Sequence, residues 1–312
     1  MFNQNTRILV TGATGLLGSN LVARLIKMGV YVRCTYNNRR GKSATADAIY
    51  GDLQDERICN AATKDIDFVI HCAASTSGAA VMNSTPLAHV TPNLIMNANL
   101  MEAAYHNKVK KFLWFASTTG YPDVTIPVTE DMMFVDNPHD KYFYVGWTKR
   151  SLEKLCEMYD RLGMPSLVLR PTNIYGPGDK FDPQKSHVLP ALIRKIVSKQ
   201  NPIEVWGDGT EERDLIYVDD MVDAVLLALE KLEGYNPINI GAGHTVTINQ
   251  ILQQVMHIEN YNVPIQYIPG PQMIHTRRVD VSKAERLLGF KTKTNLTEGL
   301  TKTILWYKEN YV

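Results

Sequence analysis

A strand that ends in three evenly spaced glycines constrains this chain more than any other feature. Residues 7–20 read Arg-Ile-Leu-Val-Thr-Gly-Ala-Thr-Gly-Leu-Leu-Gly-Ser-Asn. The apolar run ending at Val10 reads as a buried parallel strand, and Gly12, Gly15 and Gly18 carry the chain into a helix expected from near Leu16 to about Met28. Gly12 permits the tight turn and Gly15 lets backbone N–H groups approach a pyrophosphate. Gly18 lets the helix pack close to the strand, and the helix dipole favours the anion. Gly12, Thr14, Gly15, Leu16 and Leu17 are the expected contacts of a bound dinucleotide.

The following segments alternate between strand and helix. A second strand is expected over 30–36, and its end is where an adenosine ribose would lie. An acidic residue there would bind the 2′-hydroxyl; this chain instead has Tyr36-Asn37-Asn38-Arg39-Arg40, with Arg33 upstream. Arg39 and its neighbours could accommodate a 2′-phosphate, which leans the reading towards NADP. Asn37 bonding a free hydroxyl is the NAD alternative. Asp52, at another strand end, is placed to accept from an adenine amino group with Leu53 packing on the ring. A strand over 67–72 runs into Ala73-Ala74-Ser75, small enough for a cofactor to pass closely. A helix is expected over 93–107, its Leu94, Ala98, Met101 and Tyr105 reading as ordinary core. A strand over 111–116 leads into Ser117-Thr118-Thr119. A helix over 142–162 ends at Gly163 and Pro165, and a strand over 166–170 precedes Pro171. The alternation predicts an α/β chain with a doubly wound parallel sheet and a smaller second lobe.

With 33 Lys and Arg against 32 Asp and Glu in 312 residues, no global field draws the chain to nucleic acid or an anionic membrane. No run of 18 apolar residues is available to span a bilayer, and the first strand leaves no room for a signal peptide, so a cytoplasmic location is expected. Cys34, Cys59, Cys72 and Cys156 lack Cys-x-x-Cys spacing and are expected as reduced, mostly packed thiols, with no metal site.

Several separated motifs together give a family resemblance. Besides the glycine loop they are Asp52-Leu53, the His71-Cys-Ala-Ala turn and the strand end at Ser117. Further on come Arg170-Pro-Thr-Asn-Ile-Tyr-Gly-Pro-Gly, Trp206-Gly-Asp-Gly-Thr-Glu-Glu-Arg-Asp and Val279-Asp-Val-Ser-Lys-Ala-Glu-Arg-Leu-Leu-Gly-Phe. The chain resembles, over nearly its full length, the extended short-chain dehydrogenases/reductases that modify nucleotide sugars. Asn173-Ile-Tyr-Gly-Pro, His187-Val-Leu-Pro and Tyr121-Pro-Asp look most like the GDP-fucose synthase branch. The resemblance implies a Rossmann domain over 1–170, with a returning segment at about 210–233. The substrate-binding lobe would comprise 171–209 and 234–312. It implies a homodimer paired through the helices starting near Asn93 and Tyr142. It places Ala73 and Pro171 against the cofactor, and Thr119, Asn173, His187, Arg213 and Arg278 against the sugar nucleotide. Arg213, with Arg277 and Arg278, would offer guanidinium forks to its pyrophosphate, surface ion pairs being the other reading.

The family's reaction uses Ser, Tyr and Lys. A hydroxyl bonds the reacting oxygen, the tyrosine passes the proton, and the lysine holds the nicotinamide ribose. Ser117, Thr118 and Lys149 match, but four residues before Lys149 stands Val145, which carries no proton. Tyr144 is one residue, about 100°, away around the helix. Thr119 replaces the cysteine that the fucose synthase branch pairs with its histidine, here His187, so double epimerisation is not expected; His187 or a water would stand in for the tyrosine in a simple oxidation or reduction. The activity expected is NAD(P)-dependent oxidation or reduction of a GDP-linked sugar at C4. The alternatives are a sugar-nucleotide epimerase, or a member, natural or with its tyrosine engineered away, that binds both ligands without efficient turnover.

Overall fold

A computed structural model describes residues 2–37, 47–76, 85–183, 186–270 and 274–312. Seven parallel strands form one sheet: β1 (Arg7–Thr11), β2 (Tyr31–Tyr36), β3 (Asp47–Tyr50), β4 (Phe68–His71), β5 (Lys111–Phe115), β6 (Ser166–Pro171) and β7 (Ile238–Ile240). Their order is β7-β6-β5-β4-β1-β2-β3, so the chain reverses direction between β1 and β4. The crevice beyond the carboxyl ends of those strands is where this architecture binds ligands.

The strands read as near-continuous apolar runs because both faces are covered, and side-chain alternation divides them between two cores. Ile8, Val10, Ile70, Leu113, Leu167 and Leu169 face helices α1 (Leu16–Lys27), α6 (Val218–Lys231) and α8 (Ser282–Leu288). Leu9, Val69, Phe112, Trp114 and Val168 face α2 (Glu56–Thr63), α3 (Leu87–His106) and α4 (Phe143–Arg161). A third cluster joins α5 (Val188–Val197), α7 (Ile248–Ile258) and α9 (Leu296–Tyr311) through Ile193, Leu252 and Ile304. Short two-stranded ladders flank it: Ile203–Trp206 beside Ile265–Ile268, Glu212–Arg213 against Val246–Thr247, and Asn173–Tyr175 beside Leu215–Tyr217. Among the described residues no helix is long and apolar enough to cross a membrane, and all four cysteines are free thiols, three of them buried.

Two features depart from the sequence reading. The return to the main sheet does not stop near 233, because β7 pairs with β6 at the sheet edge. Helix α3 starts at Leu87 rather than Asn93 and contains Pro92. Proline has no N–H for the carbonyl four residues back. That carbonyl, of Ala88, accepts instead from the Ser75 hydroxyl at 2.9 Å. The buried face of α3 is also shifted: Leu94 and Ala98 are exposed, while Asn93, Met96, Asn97, Leu100, Met101 and Ala104 point inward. Asn93 tolerates burial because its amide is satisfied, accepting from Ser75 N–H at 2.9 Å and donating to the Ser75 and His89 carbonyls at 3.0 and 2.6 Å.

Candidate active site

The glycine loop occupies the β1/β4 crevice, and its glycines are required sterically. Gly12 has φ +62°, and a Cβ there would lie 2.7 Å from the Ala73 nitrogen; at Gly18 it would lie 2.3 Å from the Gly12 carbonyl oxygen. Gly15 N–H closes the turn onto Gly12 O at 2.9 Å. The α1 N-terminus receives no side-chain cap and has no acidic residue in its first turn. Its leading N–H groups, from Leu16 and Leu17 onward, therefore suit a phosphate. Thr14 is exposed at the lip of the loop. This cradle fits a dinucleotide pyrophosphate.

Behind the loop, Thr11 and His71 lie side by side in the β1/β4 register. Thr11 Oγ1 lies 2.6 Å from His71 Nδ1 and accepts from Ala73 N–H at 3.1 Å. The Thr11 hydroxyl and the His71 ring therefore share one short hydrogen bond, whose direction is set by the ring tautomer. Burial, followed by the charge of Lys149, pushes the His71 pKa down to about 3. Its Nε2 and the Asn97 Oδ1 are both buried without a hydrogen-bond partner. They face a cavity of about 180 Å³ also lined by Ala73, Val145, Lys149 and Pro171.

Helix α4 presents Lys149 to this cavity. Its Nζ donates to the Phe115 carbonyl at 2.8 Å and stands 4.7 Å from the centre of the Trp114 ring. Burial lowers its pKa to about 8. Two residues beyond Phe115, Ser117 Oγ accepts from the Thr119 N–H at 3.2 Å and from the Thr119 hydroxyl at 3.0 Å. Its own O–H is thereby left to donate to an oxygen in the cleft. Thr118 begins the short helical turn that Ser117 caps. The matching serine and lysine are thus delivered by β5 and α4, and Val145 sits one turn before the lysine with its side chain on the cavity wall.

The turn is held from behind. Arg150 donates Nε to the Gly120 carbonyl at 2.7 Å, its guanidinium 5.0 Å from the Trp147 ring. Glu153 and Arg170 form a buried ion pair, Nε to Oε2 at 3.0 Å, and Arg170 Nη1 also donates to the Tyr121 hydroxyl at 2.8 Å.

Other expected contacts fall less simply. Arg33 is not available to a 2′-phosphate: its Nε lies 2.7 Å from the Asp47 carboxylate and its Nη1 donates to the Lys64 carbonyl at 2.6 Å. Asn37 is exposed at the end of β2, and Arg39 lies outside the described residues. Asp52 is exposed with its carboxylate accepting from Gln54, and Leu53 is buried in the core beside α2. On the far side of the cleft, Arg213 Nη1 donates to the Glu212, Ile274 and His275 carbonyls, leaving the rest of its fork for a ligand. Arg278 pairs with Glu212 at 3.3 Å, the surface ion pair of the alternative reading. Arg277 is drawn under the loop after Ser117, donating to the Pro122 carbonyl at 2.6 Å. Asn173 is exposed, its strand tied by its N–H to the Asp214 carbonyl at 3.1 Å. His187 precedes α5 and is not among the residues lining the cavity; desolvation and then the Lys180 charge lower its pKa.

The sequence reading missed His89, Asn93 and Asn97, which line the cavity. They recur every fourth residue, a polar stripe along one side of the helix, and that period was the available signal.

Residues 8–241 match the NAD dependent epimerase/dehydratase family. Among curated relatives, GDP-mannose 3,5-epimerase of Arabidopsis thaliana is 30% identical, over 98% of this chain and 83% of its own length. GDP-L-fucose synthase 1 of the same plant is 29% identical over 99% and 95%. Among solved structures, the UDP-glucose 4-epimerase of Thermotoga maritima with UDP-glucose superposes with a TM-score of 0.89 at 29% identity, covering 98% of this chain and 100% of that one. The Bacillus cereus UDP-glucuronic acid 4-epimerase, in complex with UDP-glucuronic acid and NAD, gives 0.86 at 27% identity, with coverage of 98% and 100%. On these likenesses the chain belongs to the NAD dependent epimerase/dehydratase family, extended short-chain dehydrogenases/reductases that act on nucleotide sugars.

Proposed function

We propose that this chain holds NAD along the β1/β4 crevice and oxidises or reduces a GDP-linked sugar at C4. The observation that carries the reading is Lys149, a half-buried ammonium at the end of β5 with Ser117 two residues beyond its anchor, Phe115 O. Bound NAD would supply the hydride acceptor or donor. Lys149 would hold the nicotinamide ribose, and Ser117, its acceptor sites taken by Thr119, would donate to the sugar oxygen as charge develops there. Arg213 would present its remaining N–H groups to the sugar nucleotide's pyrophosphate, with Asn173, Thr119 and His187 beside the sugar.

NAD is preferred to NADP because Arg33 is committed to Asp47 and the related B. cereus enzyme carries NAD. A guanine nucleotide is preferred because the curated relatives named above act on GDP-sugars. The partner is a second copy of the chain. Helices α3 and α4 pack together and leave Leu87, Leu94, Ile95, Phe143, Trp147 and Met158 exposed, apolar side chains that a partner's helices could cover.

Val145 favours a second reading, a protein that retains both ligands but turns over slowly or not at all; a sugar-nucleotide epimerase is the other active form. One experiment separates them. The purified chain is denatured and the released nucleotides identified, then NAD-loaded protein is mixed with GDP-mannose or UDP-glucose and the nicotinamide absorbance followed. Reduction of NAD by the GDP-sugar supports the proposal. A new sugar isomer with no net reduction supports the epimerase, and tight binding with neither supports the slow or inactive protein.

A further inference from the structure

The cavity at Val145 contains a proton carrier that the tyrosine-based chemistry does not use. His89, on the first turn of α3, lines this cavity together with Val145 and Lys149. It also lines, again with Val145, a small depression whose remaining walls include Tyr142 and Tyr144. His89 and Val145 are thus common to the walls of both hollows. Its backbone is fixed there: the Asn93 side chain donates to the His89 carbonyl at 2.6 Å and is bonded to Ser75, in the segment that follows the cofactor-facing Ala73 and Ala74. The residue is 5% exposed.

Resting on the reading that a nucleotide sugar is oxidised or reduced here, we propose that His89 carries the proton that leaves or joins the substrate hydroxyl, in place of the absent tyrosine. In oxidation the hydroxyl O–H bond breaks and its proton passes to an imidazole nitrogen. The C–H electron pair leaves as hydride to NAD, and the C–O bond becomes a carbonyl, so the sugar loses the two electrons that NAD gains. Reduction runs the same transfers backwards.

The other titratable groups on the cavity wall are poorly suited. His71 has its Nδ1 committed to Thr11 and resists protonation because it is buried near Lys149. Burial pushes the Cys72 thiol far up. Lys149 is anchored to Phe115 O and is the cation that the cofactor ribose requires. Of the two tyrosines beside Val145, Tyr144 is 56% exposed, and burial raises the pKa of Tyr142.

The test is a double-mutant cycle on the full NAD-loaded chain, reading nicotinamide absorbance with GDP-mannose and with UDP-glucose. His89→Gln should slow the change about 10²- to 10⁴-fold, the usual worth of a general acid or base, with NAD affinity unchanged. Val145→Tyr supplies a phenol, so in that background the same His89→Gln should cost little. A residue that only braces α3 would cost the same in both backgrounds. A second readout needs no turnover: the imidazole NMR signal that disappears in His89→Gln should shift when the sugar nucleotide is added to NAD-loaded protein. Equal rates for wild type and His89→Gln, an equal loss in both backgrounds, or an unmoved imidazole signal would each overturn the assignment. If only Val145→Tyr reacts, the nucleotide-sugar reading stands and His89 is not the carrier. If no variant reacts with either sugar, that reading falls and the assignment falls with it.

Discussion

Valine at position 145 and lysine at 149 put two opposite chemistries on one turn of α4, an inert wall beside an ammonium held out of water. Restoring the hydroxyl should be informative in itself. In the His89→Gln background, Val145→Tyr is expected to raise turnover of the accepted nucleotide sugar about 10²-fold, the lower end of what a positioned general acid contributes, as measured by steady-state kinetics. Lys149 sets a pH limit. Burial brings its pKa down to about 8, well below an ordinary lysine, so the ammonium is present below that pH and lost as pH rises through it. NAD affinity, followed by fluorescence titration, should therefore weaken through about pH 8, and Lys149→Met should bind weakly on both sides of that pH. At Gly18 the constraint is steric. A methyl group there meets the Gly12 carbonyl oxygen at 2.3 Å, so Gly18→Ala should cost about 1–3 kcal/mol by overpacking and abolish NAD binding, read by chemical denaturation and calorimetric titration.

Among the elements, α4 does the most positioning, and it does so through charges buried at its middle. Glu153 faces the Arg170 guanidinium with both groups almost wholly enclosed. Removing one partner leaves the other charged and unpaired, so Glu153→Ala should lower stability by about 3–5 kcal/mol, visible as a shift in the denaturation midpoint. How much of the site could be read in advance also divides by element. The β1 loop, Ser117 at the end of β5 and Lys149 on α4 were legible because each is a local pattern: glycine spacing, a strand end, a helical offset. Helix α3 was misread because its inward face is polar at Asn93 and Asn97, so the apolar residues Leu94 and Ala98 marked the wrong side. Polar side chains can take a core position only when a specific partner waits for them, and the Ser75 backbone that satisfies Asn93 is 18 residues away in sequence. The Arg33 pairing with Asp47 across β2 and β3 was hidden for the same reason. Long-range partners decide what a short-range pattern leaves open.

At the scale of the whole molecule, the proposed pairing through α3 and α4 is open to direct test. Sedimentation velocity should show a dimer, and Ile95→Glu, which puts a charge on an exposed apolar position, should yield a monomer without a change in melting temperature at low protein concentration. The two sides of the cleft are joined before any ligand arrives. Arg277 donates to the Pro122 carbonyl, the 128 and 279 backbones bridge one another, and Asn239 of β7 donates to the carbonyls of Val128 and Asp280. The Asn20 side chain likewise ties α1 to the Pro177 carbonyl at 2.9 Å. A chain stitched in this way has no seam along which one half could melt alone, so calorimetry should record a single endotherm. Each ligand should then shift that one transition, by about 2.7 kcal/mol of stability at a hundredfold excess over Kd. A sugar nucleotide gripped by Arg213 would thereby protect amides in β1, on the opposite wall, from hydrogen exchange: the stitching turns occupancy of one side into thermal insurance for the other.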